Sequence, residues 1–215
     1  MGNIPLSVDT QPPDFCIIAN NCWGAEVYRH YRRPYNTPVV GLYFYPEDYL
    51  RFISELRKNL TAPLTFVAQS RHLPGPAKYP VGVVNGIEVH FLHYRDEAEA
   101  TDKWTRRCAR VPTDDSLIYF KFDDRDGATI EHVRDFLGRR LPRSICFSRW
   151  RLQDPAAVFI PMPHAEPSVM DGYALYYEGV RHFDLHTWVC TGRVARRLSN
   201  RFNTWWRNIK VILKG

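Results

Sequence analysis

Asn20, Asn21 and Cys22 follow directly on the apolar run Phe15-Cys16-Ile17-Ile18-Ala19 and precede an amphipathic stretch carrying Glu26, Val27, Tyr28 and Tyr31. That order predicts a short buried strand ending where a helix begins. A helix N-terminus carries unpaired N–H groups and about half a positive charge. A thiol placed there can lose its proton and act as a nucleophile. Cys22 is therefore a candidate catalytic residue, with Asn20 and Asn21 able to donate hydrogen bonds to a substrate oxygen and Trp23 and Gly24 beside them. The competing reading is a small buried cysteine behind an Asx-type cap supplied by Asn21.

Two further polar clusters follow apolar runs. His93-Tyr94-Arg95-Asp96 closes Ile87–Tyr94, and alternation along a strand places Val89, Phe91 and His93 on one face. His93 then serves as a base in a partly dry site, with Asp96 to orient it, or as a core histidine satisfied by carbonyls. Asp123-Asp124-Arg125-Asp126-Gly127 lies between a strand and a helix. Asp124 and Asp126 form a DxD pair that suits a magnesium or manganese ion on a diphosphate, but the same residues are ordinary caps and turn formers. Trp104 and Arg107 recur at helical spacing after His93, where an arginine holds phosphate or carboxylate or else faces water. His90 alternates to the other face, and His182 and His186 lack a third ligand, so no metal centre is assigned.

The elements that must bring these clusters together are strands alternating with helices. Strands are expected at 15–19, 38–43, 64–67, 81–84, 87–94, 116–122 and 144–147, and helices after Gly24, from Pro46, over 96–110 and over 129–137. Asn85-Gly86 marks a hairpin. The pattern predicts a three-layer α/β/α fold with a mostly parallel mixed sheet, and ligands in such sheets bind outside the carboxyl ends of the strands. Residues 150–190 carry no clear period.

Length and composition suit one α/β domain over residues 1–192: the chain has 215 residues, 45% apolar and 14% aromatic. Five scattered cysteines with no CxxC pair fit a reducing cytoplasm, and the polar, proline-bearing start is unlike a signal peptide. The net charge of +6 sits in one place. Residues 193–215 hold seven basic side chains and no acid, leaving 22 basic against 23 acidic groups elsewhere, which argues against a nucleic-acid surface. Val194, Leu198, Phe202, Trp205, Ile209 and Ile212 form one stripe of a C-terminal amphipathic helix. Such a helix lies on anionic lipid or docks on the body.

The ordered motifs Asn20-Asn21-Cys22-Trp23-Gly24, Tyr35-Asn36-Thr37-Pro38, Tyr79-Pro80-Val81-Gly82, His93-Tyr94 with Glu99, Trp104 and Arg107, and Asp124-Arg125-Asp126-Gly127 resemble the bacterial domain-of-unknown-function family numbered nineteen-nineteen. The resemblance spans roughly residues 14–190, departs at Ala25, where a second glycine is expected, and leaves out the tail. It implies a three-layer α/β/α fold and a place in exopolysaccharide biosynthesis. A looser similarity is to polysaccharide acyltransferases with an Asn-Cys pair after the first strand.

The leading expectation is a cytoplasmic transferase at the inner face of the membrane, acting on a lipid-linked saccharide. In its acyl-transfer form Cys22 takes an acyl group from a thioester donor, His93 with Asp96 acts as base, and Asn20 and Asn21 stabilise the oxyanion. Trp23, Gly24, Tyr94, Trp104, Arg107, Asp124, Arg125 and Asp126 would line the substrate. The alternatives are glycosyl transfer from a nucleotide sugar with a divalent cation, and a non-catalytic saccharide-binding protein.

Overall fold

Four parallel strands form the sheet that carries the first and third of these clusters. In a computed structural model describing residues 11–163 and 165–196, β1 (Cys16–Ala19), β5 (Ile118–Asp123), β6 (Ser144–Ser148) and β7 (Ala157–Phe159) lie in the order β1-β5-β6-β7. Registers such as Ala19↔Lys121 and Asp123↔Phe147 bring the carboxyl ends of β1, β5 and β6 together. A second, antiparallel sheet joins β2 (Thr65–Val67), β3 (Val81–Val84) and β4 (Ile87–His90). Asn85 and Gly86 turn its hairpin with φ of 50° and 70°, as a two-residue turn requires. The fold is therefore mixed α/β with two sheets, where the pattern had suggested one mixed sheet.

Helices alternate with these strands. They are α1 (Trp23–His30), α2 (Pro46–Ser54), α3 (Leu56–Thr61), α4 (Glu97–Cys108), α5 (Ile130–Gly138), α6 (Gly172–Gly179) and α7 (Leu185–Thr191). The strands of the parallel sheet are mostly buried, and their apolar residues divide between two clusters. Cys16 and Ile18 of β1 join one cluster with Phe52, Trp104 and Phe136, while Phe15, Ile17 and Ala19 join another with Trp23, Trp188 and Phe147. The segment without a readable period supplies β7, α6 and α7.

Two expected strands fall short. Residues 38–43 form turns, with Gly41 at φ 76° and Val40 N–H donating to the Pro38 carbonyl, and only Tyr43 makes a single antiparallel bridge to His90. The expected strand 87–94 ends at His90, where Leu92 N–H turns back to the His90 carbonyl. The alternation used to place His93 therefore fails: Val89 and Phe91 are buried and His93 is exposed. At the other end, α7 stops at Gly192 in a left-handed conformation, Ala195 accepts from Asp184 N–H at 2.7 Å and Arg196 bridges Phe183. Residues 193–196 are thus not helical, and the rest of the expected tail helix lies outside the described residues.

Candidate functional site

Lys121 is the residue around which the carboxyl end of the parallel sheet is built. It sits in Ile118-Tyr119-Phe120-Lys121-Phe122 with no exposed side-chain surface. Its ammonium group donates to Asn20 Oδ1 at 3.1 Å, to Asn21 Oδ1 at 2.9 Å and to Asp123 Oδ2. Three donors meet three acceptors, so this lysine is saturated and acts as a strut for the two asparagines. Asp123, equally buried, accepts from Asn20 Nδ2 at 2.9 Å and Asn21 Nδ2 at 2.7 Å. Burial opposes its ionisation, but the Lys121 ammonium and the two amides hold its carboxyl below the usual range. Asn20 and Asn21 are thereby fixed, and neither is exposed to solvent.

Cys22 stands beside this network at the start of α1. Asn21 Oδ1 accepts from Trp23 N–H at 3.2 Å, so Asn21 caps the helix. The start of α6 then covers that end: a Cβ on Gly172 would lie 2.7 Å from the Trp23 nitrogen. Trp23 and Gly24 are buried, Trp23 lying 5.2 Å from the Phe147 ring. The Cys22 thiol donates to the Leu42 carbonyl at 3.7 Å. Burial raises its pKa, although Lys121 and Arg29 pull the other way. The thiol therefore rests protonated. His93 makes a backbone bond to the Gly41 carbonyl, and Asp96 is the N-cap of α4, accepting from Glu99 N–H at 2.8 Å and pairing with Arg95. No hydrogen bond links Cys22, His93 and Asp96 among the described residues.

The three residues after Asp123 divide their work. Asp124 is buried and accepts from Ser148 Oγ at 3.2 Å, Arg149 N–H at 2.7 Å and Val169 N–H at 2.9 Å, so it pins β5 to the end of β6 and to the loop before α6. Its lone pairs are directed at donors, which removes half of the DxD donor set. Arg125 gives its amide to Asp123 and its guanidinium to the Val169 carbonyl. Asp126 is different. It is half-buried in a left-handed turn at φ 56°, and burial together with the Asp123 charge pushes its carboxyl up to about 6. A carboxyl poised near neutrality where ligands enter an open parallel sheet is a candidate acid or base.

The family described as "Domain of unknown function (DUF1919)" matches residues 6–188 of the sequence. The chain belongs to this family. The match contains every residue of the site and ends before the basic segment. A protein of Haemophilus influenzae described as "Uncharacterized protein" is 38% identical over 120 residues, which is 56% of this chain. The matched region spans about half of that relative, 54% of its length.

The remaining substrate-binding candidates brace the core of this DUF1919 chain. Tyr94 is buried and donates to the Val40 carbonyl at 2.6 Å, and Arg107 binds the same carbonyl and the Tyr94 hydroxyl. Trp104 packs between Phe52 and Phe91. His182 pairs with Glu178, and His186 lies 3.5 Å from Cys190 Sγ. Sequence reasoning passed over Lys121 and named Asp123 in its cluster without giving it a role, although a lysine inside an apolar strand is a clear signal, because a buried lysine requires a partner. It did not gather Tyr43, Tyr45, His72, Tyr79 and His90 into one cluster around the carboxylates of Asp48 and Glu88. No local spacing announces that cluster, since the antiparallel sheet assembles it from distant segments.

Proposed function

We propose that this protein is a transferase of bacterial surface-polysaccharide assembly, a three-layer α/β/α body held at the cytoplasmic face of the membrane by its basic segment 193–215. Its substrate is the saccharide of a lipid-linked acceptor. The observation that carries this reading is the Asp126 carboxyl, raised to about 6 at the carboxyl end of the parallel sheet beside Cys22 and the Lys121–Asp123 pair. Near neutral pH it is mostly ionised and still a fair proton acceptor. In the step proposed, an acceptor hydroxyl attacks the activated group of a thioester or nucleotide-sugar donor. The hydroxyl proton passes to Asp126, the new bond forms at oxygen, and the carrier sulfur or phosphate oxygen leaves with its electron pair. Because Asp124 is committed to three donors, the nucleotide-sugar version does not use a DxD cation.

The charges of Lys121 and Arg29 near Cys22 favour a second reading, in which Cys22 carries the acyl group as a thioester. Substrate entry would have to displace the thiol from Leu42 and ionise it. The two readings part on mutation. With a lipid-linked oligosaccharide acceptor and labelled acyl thioesters or nucleotide sugars, Asp126→Asn is expected to lower kcat by about 10²- to 10⁴-fold. Cys22→Ala is expected to stay near wild type. Full activity of Asp126→Asn would overturn the first reading, and loss of activity in Cys22→Ala would install the second.

A further inference from the structure

The second polar cluster lies between α2, the end of β4 and the loop that follows β2. Asp48, with no exposed side-chain surface, holds His72 Nε2 at 2.7 Å and is paired with Arg71. Glu88 accepts from Ser70 Oγ at 2.6 Å and from Arg71 N–H at 3.0 Å. Arg51 also lies 3.8 Å from Asp48 and Arg71 3.8 Å from Glu88, so two guanidinium groups balance the two carboxylates and the cluster offers an incoming ligand no net charge.

What it does offer is aromatic. Tyr45 stacks on His72 with centroids 4.1 Å apart and planes at 15°, and Tyr43 stacks on His90 at 4.7 Å. Tyr43, Tyr45, His72 and Tyr79 are all half-buried, so they form a rim that solvent reaches. The Tyr43 and Tyr79 hydroxyls are 2.7 Å apart, and the Tyr79 hydroxyl lies 3.4 Å from His90 Nδ1. His90 lies beneath them. Its side chain has no exposed surface and its Nε2 makes no hydrogen bond. Glu88 Oε2 is 3.5 Å from that nitrogen, close enough for attraction but not in hydrogen-bonding geometry. A buried polar atom without a hydrogen bond is costly, and the nearby Glu88 carboxylate offsets part of that cost.

We propose that this aromatic cluster binds a neutral pyranose ring, with the half-buried tyrosines as its stacking surface and the Tyr43 and Tyr79 hydroxyls, which close over the sealed His90 ring, as the hydrogen-bond partners of its hydroxyls. Aromatic faces take up the apolar face of a sugar, and tyrosine hydroxyls satisfy its hydroxyls, while a neutral site gains nothing from phosphate or carboxylate. Phe44, between Tyr43 and Tyr45, gives its N–H to the Asn20 carbonyl at 2.9 Å, which ties the cluster to the carboxyl end of β1. The inference thereby rests on the transferase reading for its meaning as an acceptor subsite, but its binding is testable alone.

The test is nitrogen-15 NMR of the histidine side chains in the full chain, titrated with millimolar glucose, galactose, mannose and N-acetylglucosamine. Saturable shifts of His90 and His72 with at least one sugar are expected. Tyr45→Ala is expected to weaken that sugar about tenfold. Tyr79→Phe, which removes a hydroxyl and no ring, should weaken it about fivefold and keeps the test available should Tyr45→Ala not fold. Silence of both histidines toward all of these sugars, or wild-type affinity in the variants, overturns the proposal. Asp126→Asn should bind the sugar within about threefold of wild type, so loss of catalysis and loss of binding are read separately.

Discussion

Lys121 and Asp123 lie two residues apart on β5, project from the same face of the parallel sheet, and form an ion pair with no exposed side-chain surface on either partner. A charged pair is costly to desolvate and persists when the remaining hydrogen bonds are made. Here Asn20 and Asn21 make them, each giving its amide nitrogen to Asp123 and its oxygen to Lys121. The arrangement locks β1 to β5 at the point where the chain turns into α1, and it sets the position of Cys22.

Removing one member of that pair strands the other in the interior. Lys121→Met is expected to destabilise the fold by about 3–5 kcal/mol in urea unfolding. Lys121→Met combined with Asp123→Leu should recover part of the loss, because no lone charge then remains buried. A single variant within about 0.5 kcal/mol of wild type would mean that the pair is dispensable.

Asp126 makes the opposite prediction. Its carboxyl is held up at about 6, above its unfolded value, so its contribution to stability is present in acid and is lost as pH rises through 6. Asp126→Asn should therefore stabilise the protein by on the order of 1–2 kcal/mol at about pH 8 and leave it unchanged below about pH 3, after allowance for the partial exposure of the group. Destabilisation at the higher pH would indicate that the carboxylate is compensated by a partner.

His90 gives a pH dependence of its own sign. Burial pulls its imidazole down to about 4, so the neutral ring stabilises the fold above the ordinary histidine range and that contribution disappears as pH falls through about 4. Between those limits its protonation should remain absent in nitrogen-15 spectra. A His90 midpoint in the ordinary range near 6.5 would show that the ring beneath the tyrosines is open to water.

Thiol labelling ranks the cysteines. Cys190 is exposed, whereas Cys22 is largely enclosed, donates to Leu42 and has its pKa raised by burial. Iodoacetamide followed by mass spectrometry should mark Cys190 well before Cys22 at neutral pH. Rapid, selective alkylation of Cys22 would restore it as an activated nucleophile.

Truncation after Arg196 tests the basic segment without disturbing the bridge of Arg196 to Phe183. The removed stretch carries five basic side chains, each adding roughly 1 kcal/mol of attraction to an anionic surface. Co-sedimentation with phosphatidylglycerol vesicles is expected for the full chain, weaker in high salt and lost on truncation. Equal binding by the truncated chain would refute membrane attachment through this segment. No helix among the described residues is long and apolar enough to cross a membrane.

Much of the fold was legible because local rules sufficed. The Asn85-Gly86 hairpin, the Pro46 helix start and the strand Cys16–Ala19 follow from turn chemistry, fixed φ and a continuous apolar run. The gathering of Asn20, Asn21, Cys22 and the Asp123–Asp126 turn at one end of the sheet also followed from strand order. What local rules missed was decided at long range. His93 leaves the strand because the chain turns on the His90 carbonyl, which period-two alternation cannot foresee. Asp124 reads as half of a metal motif until Ser148, Arg149 and Val169, all distant in sequence, consume its oxygens. Arg107 and Tyr94 look like ligand groups because the carbonyl they brace, that of Val40, is far away along the chain.

The most direct measurement is the titration of the Asp126 carboxyl carbon by carbon-13 NMR, assigned with Asp126→Asn. A midpoint of about 6 is expected from its burial and the nearby Asp123 charge, shifting when the acceptor sugar is added. A midpoint in the ordinary aspartate range of about 4, unmoved by any sugar, would contradict a base at this corner of the sheet.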